Sequence, residues 1–223
     1  MDKQLIKQAL IKFFSGVILV GLLLFLPAGT LHWQGGWLLY ALLFIPMFLA
    51  GIVMMKKAPA LLRKRLDVKE KMGDQKTVIG LSGLMFLAGF VLAGLDLRFG
   101  WTTVPGWLVL LCAVLFLVGY GLFAEVLREN AWLSRTVEVQ RGQQVVDTGL
   151  YGLVRHPMYT ATLLMFLAMP LILGSWISFA IFLAYPPIIV KRLKSEEELL
   201  KTELFGYESY CEKVKCRLIP YIY

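Results

Sequence analysis

Two short runs of this chain gather the side chains able to do chemistry. The first is Gly149-Leu150-Tyr151-Gly152-Leu153-Val154-Arg155-His156-Pro157-Met158-Tyr159. Proline disfavours the helical state of the residue before it, so His156 is expected to be extended. Proline also suits a first helical turn, so a helix can start at Pro157. The first amides of that helix have no partner within it and favour an anion or other acceptor. Arg155 adds a planar fork suited to a carboxylate or phosphate. Tyr151 and Tyr159 offer aromatic faces to a cation or an adenine ring, and Gly149 and Gly152 allow close approach of backbone to ligand. The segment suits a ligand with one anionic group and one cationic or aromatic group. A plainer role is also open, with Arg155 a basic anchor at a membrane edge and Tyr159 an interfacial aromatic.

The second run starts at Lys191, Arg192 and Lys194. It continues through Ser195-Glu196-Glu197-Glu198 and Phe205-Gly206-Tyr207-Glu208-Ser209-Tyr210 to Val214, Arg217 and Pro220. Arg192 and Glu196 are four residues apart and share a helix face, as a salt bridge or as part of a site. Ser195 and Glu198 have the spacing of a capping box, which predicts a helix start there.

The elements that must position these runs are apolar. The 223 residues are 58% hydrophobic and 17% charged, and the mean hydropathy is +0.69, too apolar for one soluble domain. The fold expected is all-α and polytopic, with apolar segments near 13–29, 36–55, 78–97, 104–126, 158–173 and 176–190. The first four are long enough to cross a bilayer. The last two are short, joined by Gly174-Ser175 and interrupted by Pro170 and Pro186-Pro187, and read as a tight helical hairpin, giving five to six crossings. The expected division is 1–130 for four membrane helices and 131–223 for the functional part, with the hairpin over 158–190.

Charge orients the chain. Lys3, Lys7 and Lys12 precede the first segment. Lys56, Lys57, Arg63, Lys64, Arg65, Lys69, Lys71 and Lys76 follow the second, Arg128, Arg135, Arg141 and Arg155 follow the fourth, and only Arg98 falls on the other side. The positive-inside rule then makes both termini and the second run cytosolic. Trp33, Trp37, Trp101, Trp107 and Trp176 are expected in an aromatic belt at the opposite boundary. The first segment reads as a retained anchor rather than a cleaved signal, because no suitable small-residue site follows it. The connector 56–76 holds an amphipathic stretch, 58–72, with Leu61, Leu62, Leu66 and Met72 among basic residues, expected as a short interfacial helix. Gly89 and Ala93 form a small-residue pair that predicts close helix packing. The +8 charge is an orientation signal first and a membrane-lipid contact second, and nucleic acid is not expected. Three cysteines and two histidines make neither a disulfide framework nor a zinc site.

Together the two runs resemble the isoprenylcysteine carboxyl methyltransferases and their phospholipid-methyltransferase relatives. The likeness rests on Gly149-x-Tyr151-x-x-x-Arg155-His156-Pro157-x-Tyr159 and Arg192-x-x-x-Glu196-Glu197. Phe205-Gly206, with Tyr207 and Tyr210, and Val214-x-x-Arg217-x-x-Pro220 complete it. It covers roughly residues 136–220. The resemblance implies S-adenosylmethionine as methyl donor in a cytosolic pocket built by the C-terminal part. It implies cofactor contacts from Gln140, Gln143, Gln144, Val145, Val146, Tyr151, Arg155, His156, Pro157, Met158 and Tyr159, and from Glu196 or Glu197. Arg192 would face the substrate as the catalytic residue, with Arg217 beside it. The implied acceptor is the carboxylate of a lipidic molecule such as a prenylated cysteine, entering from the bilayer. Such transfer is an in-line displacement that mainly needs two reactants positioned, and a carboxylate is already ionised at neutral pH. The sequence keeps open a phospholipid amine acceptor, a nicotinamide-dependent sterol-reductase-like activity, and a non-enzymatic transporter or scaffold.

Overall fold

The computed structural model describes residues 3–66, 73–133, 139–220 and 222–223. Lys69, Lys71 and Met72 of the amphipathic stretch and Arg135 of the basic set lie outside the described residues. In chain order the helices are α1 (Lys3–Ala28), α2 (Gln34–Lys57), α3 (Pro59–Leu66), α4 (Gly73–Phe99) and α5 (Gly106–Glu129). A 3-10 turn at Gly149–Gly152 precedes α6 (Pro157–Ile172), α7 (Trp176–Phe182), α8 (Tyr185–Glu203) and α9 (Tyr207–Lys213). The described residues contain no strand.

Among the described residues, five stretches are long and apolar enough to cross a membrane: Lys3–Ala28, Gln34–Lys57, Lys76–Phe99, Gly106–Glu129 and Trp176–Glu203. The 16 residues of α6 rise only about 24 Å, short of a bilayer core. Large apolar side chains such as Ile18, Leu22, Leu26, Leu84, Leu110 and Val114 face outward, the pattern of a bundle solvated by lipid.

Inside, Leu24, Leu39, Phe116, Ile172, Phe182 and Leu193 are sealed from solvent. Without a hydrophobic force between helices in lipid, close backbone approach carries association. A Cβ on Gly89 would lie 2.3 Å from Cε2 of Phe182, and Ser178 Oγ donates to the Gly89 carbonyl at 2.9 Å. α4 and α7 thus meet where the Gly89–Ala93 pair predicts close packing. Gly119 serves α5 against α6 in the same way, with Met165 Cγ 2.5 Å from the Cβ site.

The bundle has two polar ends. At one, Asp96 is buried and accepts from the Thr102 amide at 2.7 Å, the Thr102 hydroxyl at 2.5 Å and Ser175 Oγ. The Trp176 amide donates to Thr102 Oγ1 at 3.1 Å, tying the α4–α5 and α6–α7 turns together. At the other end lie α3, the segment 139–156, the last turns of α8 and the tail, linked by the contacts described below.

Three expectations are corrected. The second arm of the hairpin does not end near 190. Pro186 and Pro187 fall in the first turn of α8, where a missing amide costs nothing, so they start a helix that runs to Glu203. Ser195 therefore lies inside α8 and is no cap, with its hydroxyl directed to the Lys191 carbonyl at 3.4 Å. Trp33 does not join an aromatic belt: it is buried beneath the first turn of α2, with its indole 2.8 Å from the Cβ site of Gly36. Trp101, Trp107 and Trp176 are exposed at that end, as expected.

Candidate functional site

Backbone geometry sets the site first. Gly149 has φ +55°, and an added Cβ would fall 1.6 Å from Oε1 of Glu129. Glu129, the last residue of α5, accepts from the Leu150 amide at 3.0 Å. The chain thus folds tightly over the end of α5 only with glycine at 149. His156 precedes α6 outside the helical region, with φ −127° and ψ 62°, short of the fully extended backbone expected, and Pro157 opens the helix. The Arg155 and His156 amides each donate at 2.9 Å, to the carbonyls of Cys216 and Arg217 respectively, so the tail is held against this turn.

Beneath it sits a buried ionic knot. Glu197 Oε1 accepts from Arg155 Nε at 2.7 Å and lies 3.2 Å from His156 Nε2, while Oε2 accepts from Arg217 Nε at 2.9 Å. Arg155 also donates to the Val214 carbonyl at 2.9 Å. Arg155, His156 and Glu197 are all buried. A buried carboxylate is tolerable only when its charge is matched and its lone pairs are filled, and here the two guanidinium groups do both. The knot locks α6, α8 and the tail together.

Above the knot opens a cleft of about 870 Å³, its mouth included. His156 stacks on Tyr159, with ring centroids 5.6 Å apart. The Tyr159 hydroxyl donates to Glu196 and accepts from Arg192 Nε at 3.0 Å. One phenol thereby holds a carboxylate and a guanidinium side by side at the cleft. The aromatic walls are Trp132, Tyr207 and Tyr210. Tyr210 donates to the Tyr151 carbonyl at 2.7 Å, and Asn130 donates to the Tyr151 hydroxyl at 2.9 Å. Burial pushes the Tyr151 hydroxyl up to about 12, so it stays protonated.

The cleft brings together Gln143, Gln144, Val145, Val146, Tyr151, Arg155, His156, Met158, Tyr159, Arg192 and Glu196 of the predicted residues. Gln140, Pro157, Glu197 and Arg217 do not line it. Gln140 sits behind the wall, bonded through Nε2 to the Trp132 carbonyl at 2.6 Å. Glu197 and Arg217 are spent on each other in the knot. Sequence reasoning missed Asn130, Trp132, Leu133, Leu199, Leu200 and Leu204. Leu199 and Leu200 carry a helical signal, one turn beyond Glu196. The others carry none that is local.

Tyr207 has its hydroxyl buried with no partner among the described residues, a polar atom that a ligand could satisfy. Trp132, Tyr207 and Tyr210 suit a purine, and Glu196 suits hydroxyl or ammonium donors. The residues fit S-adenosylmethionine. No cluster of metal-binding side chains occurs among the described residues.

A family model described as phospholipid methyltransferase matches residues 101–208. The Delta(14)-sterol reductase of Mus musculus is 32% identical over 91 residues, which are 40% of this chain and 22% of the reductase. The chain thus aligns with about a fifth of that relative's length. The matched family region runs from the α4–α5 turn into α9 and takes in the first motif run and the second as far as Glu208, and it supports a methyltransferase of the membrane.

Proposed function

We propose that the chain is an integral-membrane methyltransferase using S-adenosylmethionine, with a lipidic acceptor. The observation that carries this is the cleft itself. It gathers both motif runs at one end of an apolar bundle, where a water-soluble donor and a membrane-borne acceptor can meet. Gln143 to Val146, Met158, Tyr159, Glu196 and Tyr207 would hold the donor, which when bound supplies an electrophilic methyl group. Arg192, steadied by Tyr159, would orient an anionic group of the acceptor. A carboxylate acceptor, as in the isoprenylcysteine carboxyl methyltransferases, needs no base, which agrees with the arginine at the cleft. The charge pattern favours a cytosolic cleft.

Calorimetric titration of the detergent-purified protein with S-adenosylhomocysteine tests this. Saturable binding, weakened in Glu196→Gln, supports it, and absence of binding to folded wild-type protein overturns it. Labelled donor then separates an ester product from an N-methylated lipid. The likeness to a sterol reductase favours one other reading, a nicotinamide-dependent enzyme. Binding of NADPH in place of S-adenosylhomocysteine is its signature.

A further inference from the structure

The helix α3 belongs to the N-terminal half, yet it touches the cleft wall. Lys64 Nζ donates to Gln140 Oε1 at 2.5 Å and lies 5.5 Å from the centre of the Trp132 ring. Gln140 in turn donates to the Trp132 carbonyl at 2.6 Å. Its backbone pairs with Gln143 twice, through the Gln140 amide to Gln143 Oε1 at 2.9 Å and the Gln143 amide to the Gln140 carbonyl at 3.0 Å. Trp132 and Gln143 both line the cleft. One lysine therefore bears on two wall segments, on Trp132 through its ring and on 139–146 through Gln140.

The other side of α3 is a cationic surface. Lys56 and Lys57 end α2, Arg63 lies on α3, and all three are exposed. From 56 to 76 the chain carries eight basic residues (Lys56, Lys57, Arg63, Lys64, Arg65, Lys69, Lys71, Lys76) against three acidic ones (Asp67, Glu70, Asp74). Leu62 is buried, and Lys12, in the third turn of α1, donates to the Leu66 carbonyl, so α3 is held against the bundle beside α1. A basic segment at that place is drawn to anionic headgroups near the surface. Orientation during insertion accounts for charge at a bilayer edge, but not for a lysine of the same helix braced against the cleft.

We propose that α3 docks on anionic lipid and, through Lys64, steadies the Trp132–Gln140–Gln143 wall of the cleft, so that the site responds to the charge of its own membrane. Its bearing on methyl transfer rests on the function proposed above, whereas the response of the wall does not.

Amide hydrogen exchange of the full chain tests this in nanodiscs of phosphatidylcholine alone and of phosphatidylcholine with an equal amount of phosphatidylglycerol. The expected result is slower exchange in the anionic discs at both 59–66 and 139–146, by about fivefold for a coupling near 1 kcal/mol. In Lys64→Ala the slowing should persist at 59–66 and vanish at 139–146. Slowing at α3 alone in the wild-type protein would overturn the coupling. No slowing at either segment would overturn the docking. Both comparisons hold whether or not S-adenosylhomocysteine binds, so failure of the functional reading is told apart by the calorimetry.

Discussion

Adjacent glutamates have opposite fates because successive residues on a helix point about 100° apart. Glu196 meets the cleft through Tyr159, and Glu197 turns inward to two arginines and a histidine. Their glutamine variants should separate cleanly. Glu197→Gln leaves the Arg155 and Arg217 charges under-compensated and should cost about 3 kcal/mol of stability, seen as a marked fall in the detergent melting temperature. Glu196→Gln, on a half-buried and solvated position, should melt like the wild type and lose affinity for S-adenosylhomocysteine. The reverse pattern would reassign the two. Tyr207 gives a complementary case. Its hydroxyl has no partner among the described residues, so Tyr207→Phe should leave the ligand-free melting temperature unchanged or raised, unlike the usual loss of about 1 kcal/mol when a buried hydrogen bond is removed.

At the scale of elements, the turn over α5 and the length of α8 carry the site. Gly149→Ala meets both a positive φ and the Glu129 carboxylate, and should abolish ligand binding. Adding Glu129→Ala removes the clash but not the backbone strain of about 1 kcal/mol or more, so partial recovery of binding in the double variant is expected, and none would refute this geometry. Ser195→Ala should be neutral or stabilise by up to about 0.5 kcal/mol, as for a helix interior, where loss of a cap would cost about 1 kcal/mol. The same elements show what the sequence made legible. The turn at Arg155-His156-Pro157 was readable because proline acts on its immediate neighbour, and the apolar spans because hydropathy is additive along the chain. The prolines at 186 and 187 read equally well as a break or a start, and only packing on α6 decides between them. Glu196 and Glu197 could not be told apart without knowing which way α8 is rotated. Trp132 reaches the cleft through Gln140 and Lys64, a contact between residues 76 apart in sequence, which no local pattern encodes.

For the whole molecule, the two polar ends are separate structures joined by stiff helices. The 24 residues of α5 alone span about 36 Å. At the end remote from the cleft, Asp96 organises the turns after α4 and α6 through three donors. At the cleft end, the tail's Val214, Cys216 and Arg217 close the site over Arg155 and His156. Perturbations that far apart, with no shared partner, act independently. Asp96→Asn weakens bonds to a charged acceptor and should cost about 2 kcal/mol of stability, while leaving the S-adenosylhomocysteine affinity of the folded protein within about twofold of wild type. Deleting 214–223 should do the opposite in kind: it strips the carbonyl partners of Arg155 and one guanidinium from Glu197, and binding should be lost while the helical signal of the bundle persists. Measuring melting temperature and ligand affinity on both variants decides whether the bundle is a frame that carries the site or a single cooperative unit with it. Loss of affinity in Asp96→Asn at temperatures where it is fully folded would show that the two ends communicate along α4, α5 and α6, and would refute their independence.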